Sequence, residues 1–373
     1  MRPSLFRSGL MIVTLVAGLA GMARAEPALE VSEVARGLDV PWSLAFLPGG
    51  DMLVTERPGQ MRIVTATGEV SASLAGLPDV YAQGQGGLLG VALSPTFSTD
   101  SLVYFAFAQP TESGARTAVA RAHLDREAMR LEEVTVIFTQ NEDPPGGGHF
   151  GGRLAFAPDG TLFVTLGDRY GYREHAQYPK SHLGKIVRIN PDGSVPSDNP
   201  FATADGFARE IWSWGHRNVQ GAAIHPQSGK LWAHEHGPQG GDEVNIPAAG
   251  RNHGWPDITY GREYVTGFRI GEGEVRDDVV PPVHYWVPSI APSGMAFYTG
   301  DVFPEWQGDL FVGSLKFGVL VRLDVEGERV VKEERLLDGV TQRIRDVVNG
   351  PDGAIYLLDE GGGRVLRVGR KGT

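Results

Sequence analysis

One histidine stands among glycines at the entrance of a predicted β-hairpin. The stretch "GGGHFGGRLAF" (146–156) contains His149, and after it the turn Pro158-Asp159-Gly160 separates two short apolar runs that predict strands. A neutral imidazole has an ordinary pKa of about 6.5 and can accept a proton near neutral pH. His149 is therefore a candidate general base, and a loop residue beside a tight turn is the alternative.

Amide and cationic side chains recur at other predicted strand ends. "EIWSWGHRNVQG" (210–221) carries an arginine, an asparagine and a glutamine, which are donors suited to a ligand rich in carbonyls or carboxylates. "QRIRDVV" (342–348) has two arginines at i and i+2, which point to the same face of a strand. Such cations around one opening of an acidic chain would form an anion site, while solvated loops and salt bridges are the alternatives. The candidate set is Gln85, Arg217, Asn218, Gln220, Lys316, Arg343 and Arg345.

Gln85 lies in the glycine-rich stretch "GQGGLLG" (84–90). The glycines do not follow the G-x-G-x-x-G spacing and no strand–helix unit surrounds them, so a nucleotide-binding loop is disfavoured. The stretch is either a turn or a place where the backbone passes close to a ligand, with Gln85 offering an amide donor and acceptor.

The stretch "HEHGPQGGDEVN" (234–245) has two histidines and three carboxylates around Gly237 and Pro238. His-x-His with carboxylates is compatible with a transition metal, although the chain has no distant third ligand motif. A hard cation held by the backbone carbonyls of the Gly-Pro turn is the competing interpretation.

The elements that position these residues follow one repeated pattern. A small or apolar strand, a turn with Pro, Gly or Asp, and a second apolar strand occur six times, at 43–56, 90–107, 154–168, 222–235, 295–314 and 346–360. Recurrence of one supersecondary unit at this scale predicts an all-β, six-bladed β-propeller of four-stranded blades. A pair of β-sandwiches is the alternative. The gaps 169–210 and 239–290 are expected to be inserted loops over the active-site face, and the best helical candidate is "DREAMRLEE" (125–133).

The N-terminus predicts export. Residues 1–25 combine Arg2 and Arg7, an apolar run from Leu10 to Ala20 and a small-residue cleavage site, so they are interpreted as a signal peptide, with a retained anchor as the alternative. Residues 26–373 would then form one propeller domain with no membrane span. The absence of cysteine excludes disulfides, thiolate metal sites and covalent haem, and suits a periplasmic protein.

The charge of the chain restricts its partners. Removal of Arg2, Arg7 and Arg24 with residues 1–25 would take the formal net charge from −11 to −14. Such an acidic protein is not expected to bind nucleic acid or an anionic lipid surface.

Taken together, the motifs resemble the soluble PQQ-dependent aldose sugar dehydrogenases of the glucose/sorbosone dehydrogenase family. The resemblance runs from "PWSLAFLP" (41–48) to "RIRDVVNGPDG" (343–353) and includes "GQGGLLGVALSP", "GGRLAF", "LGKIVRI", "NPF", "RNVQG", "EHGPQGGDEVN" and "GWP". It implies a six-bladed propeller that carries pyrroloquinoline quinone (PQQ), a tricarboxylate, together with Ca²⁺. Val219 and His253 depart from the family pattern, which usually has proline and an aromatic residue there.

The resemblance also assigns roles to individual residues. It implies that His149 is the catalytic base, with Asp168 as an acid beside it and Arg217 and Asn218 near the quinone carbonyls. Gly237 and Pro238 would supply backbone carbonyls to calcium. The cofactor-holding matches are Gln85, Lys316, Arg343 and Arg345.

The expected function is oxidation of aldose sugars at C1 to aldonolactones in the periplasm. The hydride would pass to PQQ and the electrons then to an external acceptor, because the chain has no haem motif. A calcium-dependent propeller lactonase and a non-catalytic propeller that binds sugar or protein are the alternatives.

Overall fold

The computed structural model describes residues 27–372. The predicted signal peptide therefore lies outside the described residues. The strands are β1 (Leu29–Arg36), β2 (Pro41–Phe46), β3 (Met52–Glu56), β4 (Gln60–Val64), β5 (Leu88–Leu93), β6 (Leu102–Pro110), β7 (Ala115–Asp125), β8 (Arg130–Thr139), β9 (Leu154–Phe156), β10 (Leu162–Thr165), β11 (Lys185–Ile189), β12 (Ile211–Trp214), β13 (Val219–Ile224), β14 (Leu231–Glu235), β15 (Asp242–Asn245), β16 (His284–Trp286), β17 (Pro292–Phe297), β18 (Leu310–Ser314), β19 (Leu320–Glu326), β20 (Arg329–Leu336), β21 (Ile344–Asn349), β22 (Ile355–Asp359) and β23 (Arg364–Arg370). One short α-helix, α1 (Phe97–Asp100), and two 3₁₀ turns (Arg173–Gln177 and Pro304–Trp306) complete the elements.

The strands form six antiparallel sheets arranged as a six-bladed β-propeller, as the repeated hairpins predicted. In chain order, blade 1 is β2–β4, blade 2 is β5–β8, blade 3 is β9–β12, blade 4 is β13–β16, blade 5 is β17–β20, and blade 6 is β21–β23 with β1. The inner strands β2, β5, β9, β13, β17 and β21 contact one another in a closed ring. Each of the six sequence hairpins is the inner pair of one blade.

The ring is closed by the N-terminal strand. β1 pairs antiparallel with β23, from Leu29 opposite Arg370 to Arg36 opposite Arg364. The first strand thus completes the last blade, and the two ends of the chain fasten the propeller together.

Blade 1 has three strands, so the expectation of four strands in every blade is wrong there. After β4 the chain runs beside Met61 and Ile63 as an irregular segment. Ser71 and Ser73 place their side-chain oxygens on the N–H groups of Ile63 and Met61, at 3.0 and 3.4 Å. Serine hydroxyls that compete for ladder donors break up the regular pairing that a fourth strand requires.

The helix expected at 125–133 is wrong, because this stretch is the hairpin between β7 and β8. The Asp125 carboxylate accepts the N–H groups of Glu127 and Ala128 at 3.0 and 2.8 Å, which closes the turn. Leu131 is buried in β8, between the exposed residues Arg130 and Glu132. The aspartate turn and the pairing of these residues in the β7–β8 ladder override the helix propensity of the charged residues.

The core fills the spaces between neighbouring blades. Tyr104 of β6 packs in one buried cluster with Val164 and Val187 of blade 3. Trp232 of β14 meets Phe297 of β17 edge-on at 5.4 Å. Because each blade buries its faces against its neighbours, the ring positions all six inner strands relative to one another.

Only part of the expected loop arrangement is observed. The inner strands all begin on one side of the ring, the entry face, and their hairpin turns lie on the other side, the turn face. Residues 169–184 lie on the entry face, but β11 then crosses the blade, so 190–210 begins on the turn face. The insertion 246–283 starts beside that face and climbs along β12, where Asn252 bridges to Trp214. Within 27–372 no helix has the length and apolar character needed to cross a membrane.

Candidate active site

His149 and Asp168 form a buried pair at the entry to blade 3. His149 Nδ1 lies 2.6 Å from Asp168 Oδ1, and the main-chain N–H of His149 donates to Gln85 Oε1 at 2.8 Å. His149 is 4% exposed and Asp168 is fully buried. The main-chain N–H of Asp168 donates to the carbonyl of Arg217 at 2.8 Å, so three inner-strand entries meet at this pair.

The close meeting of these segments depends on glycine. A Cβ on Gly167 would lie 2.2 Å from the His149 carbonyl oxygen, closer than any side-chain carbon tolerates. His149 itself has a left-handed φ of 50°, and Gly151 a φ of 64°. The glycines around the histidine therefore allow a tight backbone crossing that brings the imidazole to Asp168.

Burial sets the protonation of the pair. Desolvation lowers the pKa of His149, with Arg217 and Arg169 adding to the effect and Asp168 opposing it. Burial alone would raise the pKa of Asp168, but the hydrogen bond from His149 and the nearby positive charges lower it below its usual range. The pair is thus a neutral imidazole and a carboxylate near neutral pH.

The hydrogen bonds also fix which nitrogen is available. Because Asp168 is the acceptor at Nδ1, the network assigns the proton to that nitrogen and a lone pair to Nε2. Within residues 27–372, Nε2 has no hydrogen-bond partner. The arrangement is that of an oriented base with one nitrogen left for a proton.

A cavity of about 630 Å³ opens at the entry face. His149 and Asp168 are not among its lining residues, but Gln85, which bonds His149, and Phe150, which follows it, are. Every blade contributes to its wall at or beside the start of its inner strand. Of the sequence-predicted residues it brings together Gln85, Asn218, Gln220, Lys316, Arg343 and Arg345, and it adds Trp42, Arg57, Phe150, Gly151, His236, Ala291, Leu315 and Glu360.

The cationic side of this cavity has one counter-charge. Glu360 lies 2.5 Å from the Arg345 guanidinium and 3.5 Å from that of Arg343. Arg343 precedes β21, so the two arginines converge on one glutamate as well as on the cavity. Lys316 has no salt bridge among the described residues, and its ammonium lies 5.0 Å from the Phe317 ring. Positive charge therefore exceeds negative charge on this wall.

The amide side leaves a donor unused. Asn218 Oδ1 accepts the N–H of Gly151 and a proton of Gln220 Nε2, at 3.2 and 3.3 Å. Asn218 Nδ2 is buried and has no hydrogen-bond partner within 27–372. A buried amide donor without a partner is costly. Together with the cations, it fits an anionic ligand that carries carbonyl groups.

Arg217 lies outside that cavity and lines a second one of about 330 Å³ with Tyr170, Pro238, Trp255 and Tyr264. Its guanidinium donates to the carbonyls of His236 and Gly237, at 2.9 and 2.8 Å. The Gly-Pro turn is held from the other side, because the Gly237 N–H donates to Asp242 Oδ1 at 2.9 Å.

The two histidines of the His-x-His stretch do not converge. His234 is buried within β14, against Gly221. His236 places Nε2 2.6 Å from the Pro292 carbonyl oxygen. Among the residues the structure describes, no group of three or more His, Cys, Asp or Glu side chains is placed to hold a metal ion. The geometry thus gives no support to the transition-metal interpretation.

Sequence reasoning missed several residues of the site. Trp42 lies beneath the cavity, 4.2 Å from the Arg153 guanidinium. Arg153 donates to the carbonyls of Gln220 and Arg345, at 2.8 and 2.9 Å, and pairs with Asp346. Trp42 directly precedes the repeat 43–56 and Arg153 the repeat 154–168, so the available signal was their place at the start of an inner hairpin.

Comparison with known proteins identifies what this arrangement resembles. The family model for glucose / sorbosone dehydrogenases matches residues 38–367. The aldose sugar dehydrogenase of Escherichia coli is 43% identical over 367 residues, which span 97% of this chain and 98% of the relative. A solved glucose dehydrogenase is 48% identical, with a TM-score of 0.89, over 92% of this chain and all of that one. The PQQ-bound aldose sugar dehydrogenase of Streptomyces coelicolor is 32% identical, with a TM-score of 0.74, over 92% and 98% of the two chains.

Proposed function

The chain belongs to the glucose / sorbosone dehydrogenase family, and from that premise we propose that it oxidises aldose sugars at C1 to aldonolactones with PQQ and Ca²⁺. The observation that carries the proposal is the partner-free Nε2 of His149, a residue whose bonded neighbour Gln85 and following residue Phe150 line a cavity of surplus positive charge. Neither lactone hydrolysis nor simple sugar binding requires that combination.

The residues of the larger cavity suit the cofactor. Lys316, Arg343 and Arg345 would neutralise its carboxylates, and Asn218 Nδ2 offers a donor for a carbonyl oxygen. Gln85 and Gln220 add amides on the same wall. When bound, the quinone supplies the hydride acceptor that protein side chains lack.

Calcium would be held by the Gly-Pro turn. The carbonyls of Gly237 and Pro238 are hard oxygen ligands of the type Ca²⁺ prefers. Arg217 already donates to the Gly237 carbonyl, so calcium would use the second lone pair of that oxygen, against the repulsion of the guanidinium charge. Two carbonyls do not complete the six to eight ligands that Ca²⁺ takes, so cofactor oxygens and water would supply the rest.

His149 acts on the sugar as general base. Its Nε2 takes the proton of the C1 hydroxyl as the C1 hydride leaves, which yields the lactone. Asp168 stays ionised and stabilises the imidazolium that forms, through the 2.6 Å contact at Nδ1. Arg217 lies close enough to lower the pKa of His149, and it lines the adjoining cavity. There it would donate a hydrogen bond to a quinone carbonyl oxygen.

The setting is proposed to be the periplasm, supported by the export pattern of residues 1–25 and the lack of cysteine. Electrons would pass to an external acceptor, a quinone or a redox protein, because the chain has no haem motif.

The test is reconstitution of the purified protein with PQQ and Ca²⁺, followed by aldose-dependent reduction of an artificial dye. We expect reduction that requires both additions and that yields one aldonolactone per two electrons. Absence of dye reduction with every aldose tried would refute the proposal. Lactone hydrolysis without PQQ would favour a propeller lactonase, and sugar binding without turnover a binding protein.

A further inference from the structure

One residue of the site remains without a role in the chemistry described above. Trp255 belongs to the insertion 246–283, outside the inner strands, and is 6% exposed. Its indole N–H donates to Asp168 Oδ2 at 2.8 Å. The other oxygen, Oδ1, is the one that contacts His149 and also accepts the N–H of Tyr170 at 2.8 Å.

The indole is held firmly where it lies. The main-chain N–H of Trp255 donates to the Gly215 carbonyl at 2.9 Å, and the main-chain carbonyl of Trp255 accepts from Gln177 Nε2 at 2.7 Å. The ring packs with Ala176 and Ile270 in a separate apolar cluster. An indole fixed at both its backbone and its ring can set the direction of a hydrogen bond.

That direction matters because a carboxylate can rotate. Three N–H donors reach Asp168 through its side chain: His149, Tyr170 and Trp255. Trp255 occupies Oδ2 and so leaves Oδ1 directed at the imidazole. Without it, both remaining donors lie on Oδ1 and Oδ2 has no bond among the described residues, so the carboxylate can turn until the imidazole and the Tyr170 N–H use different oxygens.

We propose that Trp255 is a positioning residue for the base: its indole N–H orients Asp168, which keeps the proton of His149 on Nδ1 and the lone pair on Nε2. The effect on catalysis rests on the proposed function, whereas the tautomer is a property of the protein itself. The insertion thereby takes part in the chemistry through the bond from Trp255 to Asp168.

The direct test is the tautomer of His149, measured by ¹⁵N NMR of the imidazole in the protein without added cofactor. The variant is Trp255→Phe, which keeps an aromatic ring and removes the N–H. We expect the ratio of the Nδ1–H to the Nε2–H tautomer to fall about tenfold, the size of one hydrogen bond to a charged group. An unchanged ratio overturns the proposal.

Trp212→Phe is the matched control. Its indole N–H donates to the Pro247 carbonyl at 2.9 Å beside the turn face, so the same atom is lost away from the site. Should Trp255→Phe fail to fold, benzothienylalanine at position 255 keeps the two-ring shape and lacks the N–H. The same tautomer measurement then decides.

Kinetics of the loaded enzyme give a second readout. In Trp255→Phe we expect kcat to fall about tenfold with KM within about twofold, because the loss affects the base and not sugar binding. In an Asp168→Asn background the same change should cost less than about twofold, since the two residues act through one bond. An equal loss in both backgrounds shows a general structural effect and overturns the proposal.

If the wild type oxidises no aldose, the proposed function fails, and the NMR result still decides the role of Trp255.

Discussion

Within residues 27–372, two histidine–carboxylate pairs are almost wholly buried, and they have different surroundings. His149 meets Asp168 at 2.6 Å, and His216 meets Glu235 at 2.9 Å, in both cases through Nδ1. All four side chains are almost wholly buried. By residue type, distance and burial, either pair could orient a catalytic imidazole.

The two pairs differ in the hydrogen bonding of the second ring nitrogen, Nε2. His216 Nε2 lies 2.9 Å from Ser213 Oγ, so both of its nitrogens are engaged. His149 Nε2 has no hydrogen-bond partner within residues 27–372. A base must keep one nitrogen for the substrate, so the pair with one nitrogen to spare is the candidate for chemistry.

The carboxylates differ as well. Glu235 accepts the main-chain N–H of Arg217 and, at 3.1 Å, a proton of Asn245 Nδ2, while the His216 ring stacks on His253 at 4.7 Å. These bonds join neighbouring strands and loops of blades 3 and 4. The pair of His216 thus serves the architecture that presents Arg217, whereas His149 bonds Gln85 and precedes Phe150, two residues that line the larger cavity.

The largest expected difference comes from removing each imidazole. In His149→Asn the side chain tolerates the left-handed φ of 50°, and turnover should fall about 10²- to 10⁴-fold through loss of general base catalysis. In His216→Asn, kcat should change less than about threefold, while unfolding becomes easier by about 1–3 kcal/mol because buried partners lose their bonds. Steady-state dye reduction and thermal unfolding measure the two effects.

PQQ binding provides the control for this comparison. The cofactor affinity of His149→Asn, followed by absorption titration, should stay near the wild-type value because His149 contributes no charge to the cationic wall. Equal losses of turnover in the two variants would remove the distinction drawn from Nε2.

The carboxylates should differ in the same direction by a smaller amount. Asp168→Asn removes the charge that stabilises the imidazolium, and we expect kcat to fall about 10- to 100-fold, the value of a hydrogen bond to a charged group. Glu235→Gln keeps the shape and should lower stability more than activity. A larger activity loss in Glu235→Gln would show that the second pair takes part in the chemistry.

The sequence predicted the parts of the fold that local patterns encode. Each hairpin turn, such as Pro158-Asp159-Gly160, lies between strands that pair directly, so its residues carry the signal. The pairing of β1 with β23 joins segments more than 300 residues apart, and neither strand shows which partner it takes. The missing fourth strand of blade 1 depends on two serine hydroxyls, whose bonds follow from the tertiary position of the segment.

The residues of the candidate site were likewise predictable only in part. Chemical type and family resemblance pointed to His149 and the cations, and the ring brings most of these cations to one cavity. Glu235 stands in the His-x-His stretch, where it suggested a metal ligand, yet its partner is His216. Trp255 lies 87 positions from Asp168, so the bond between them depends on how the insertion climbs along blade 3.

The pH dependence of the reaction sharpens the description of the catalytic pair. Burial lowers the pKa of His149, so its imidazole stays neutral, and able to accept a proton, at pH values below the ordinary 6.5. The acid limb of kcat/KM should therefore lie below about 6.5, so the rate at pH 6.5 should remain above half its plateau. A limb above 6.5 in the profile of dye reduction would mean that Asp168 outweighs burial and raises the pKa.

The smallest expected effect concerns the atom that distinguishes the pairs. Ser213→Ala removes the partner of His216 Nε2 and leaves that buried nitrogen without a hydrogen bond, which should cost about 1–2 kcal/mol of unfolding free energy. Because the hydrogen-bond partners of His216 among the described residues are Ser213, Glu235 and Gly184, none of which lines either cavity, kcat should stay unchanged. Chemical denaturation measures the first quantity and dye reduction the second.

A loss of kcat would show that His216 needs its serine to keep Arg217 in place through Glu235. Unchanged values of both would mean that water can reach Nε2 of His216, and the contrast with His149 would then rest on what borders each ring, not on whether its second nitrogen is bonded.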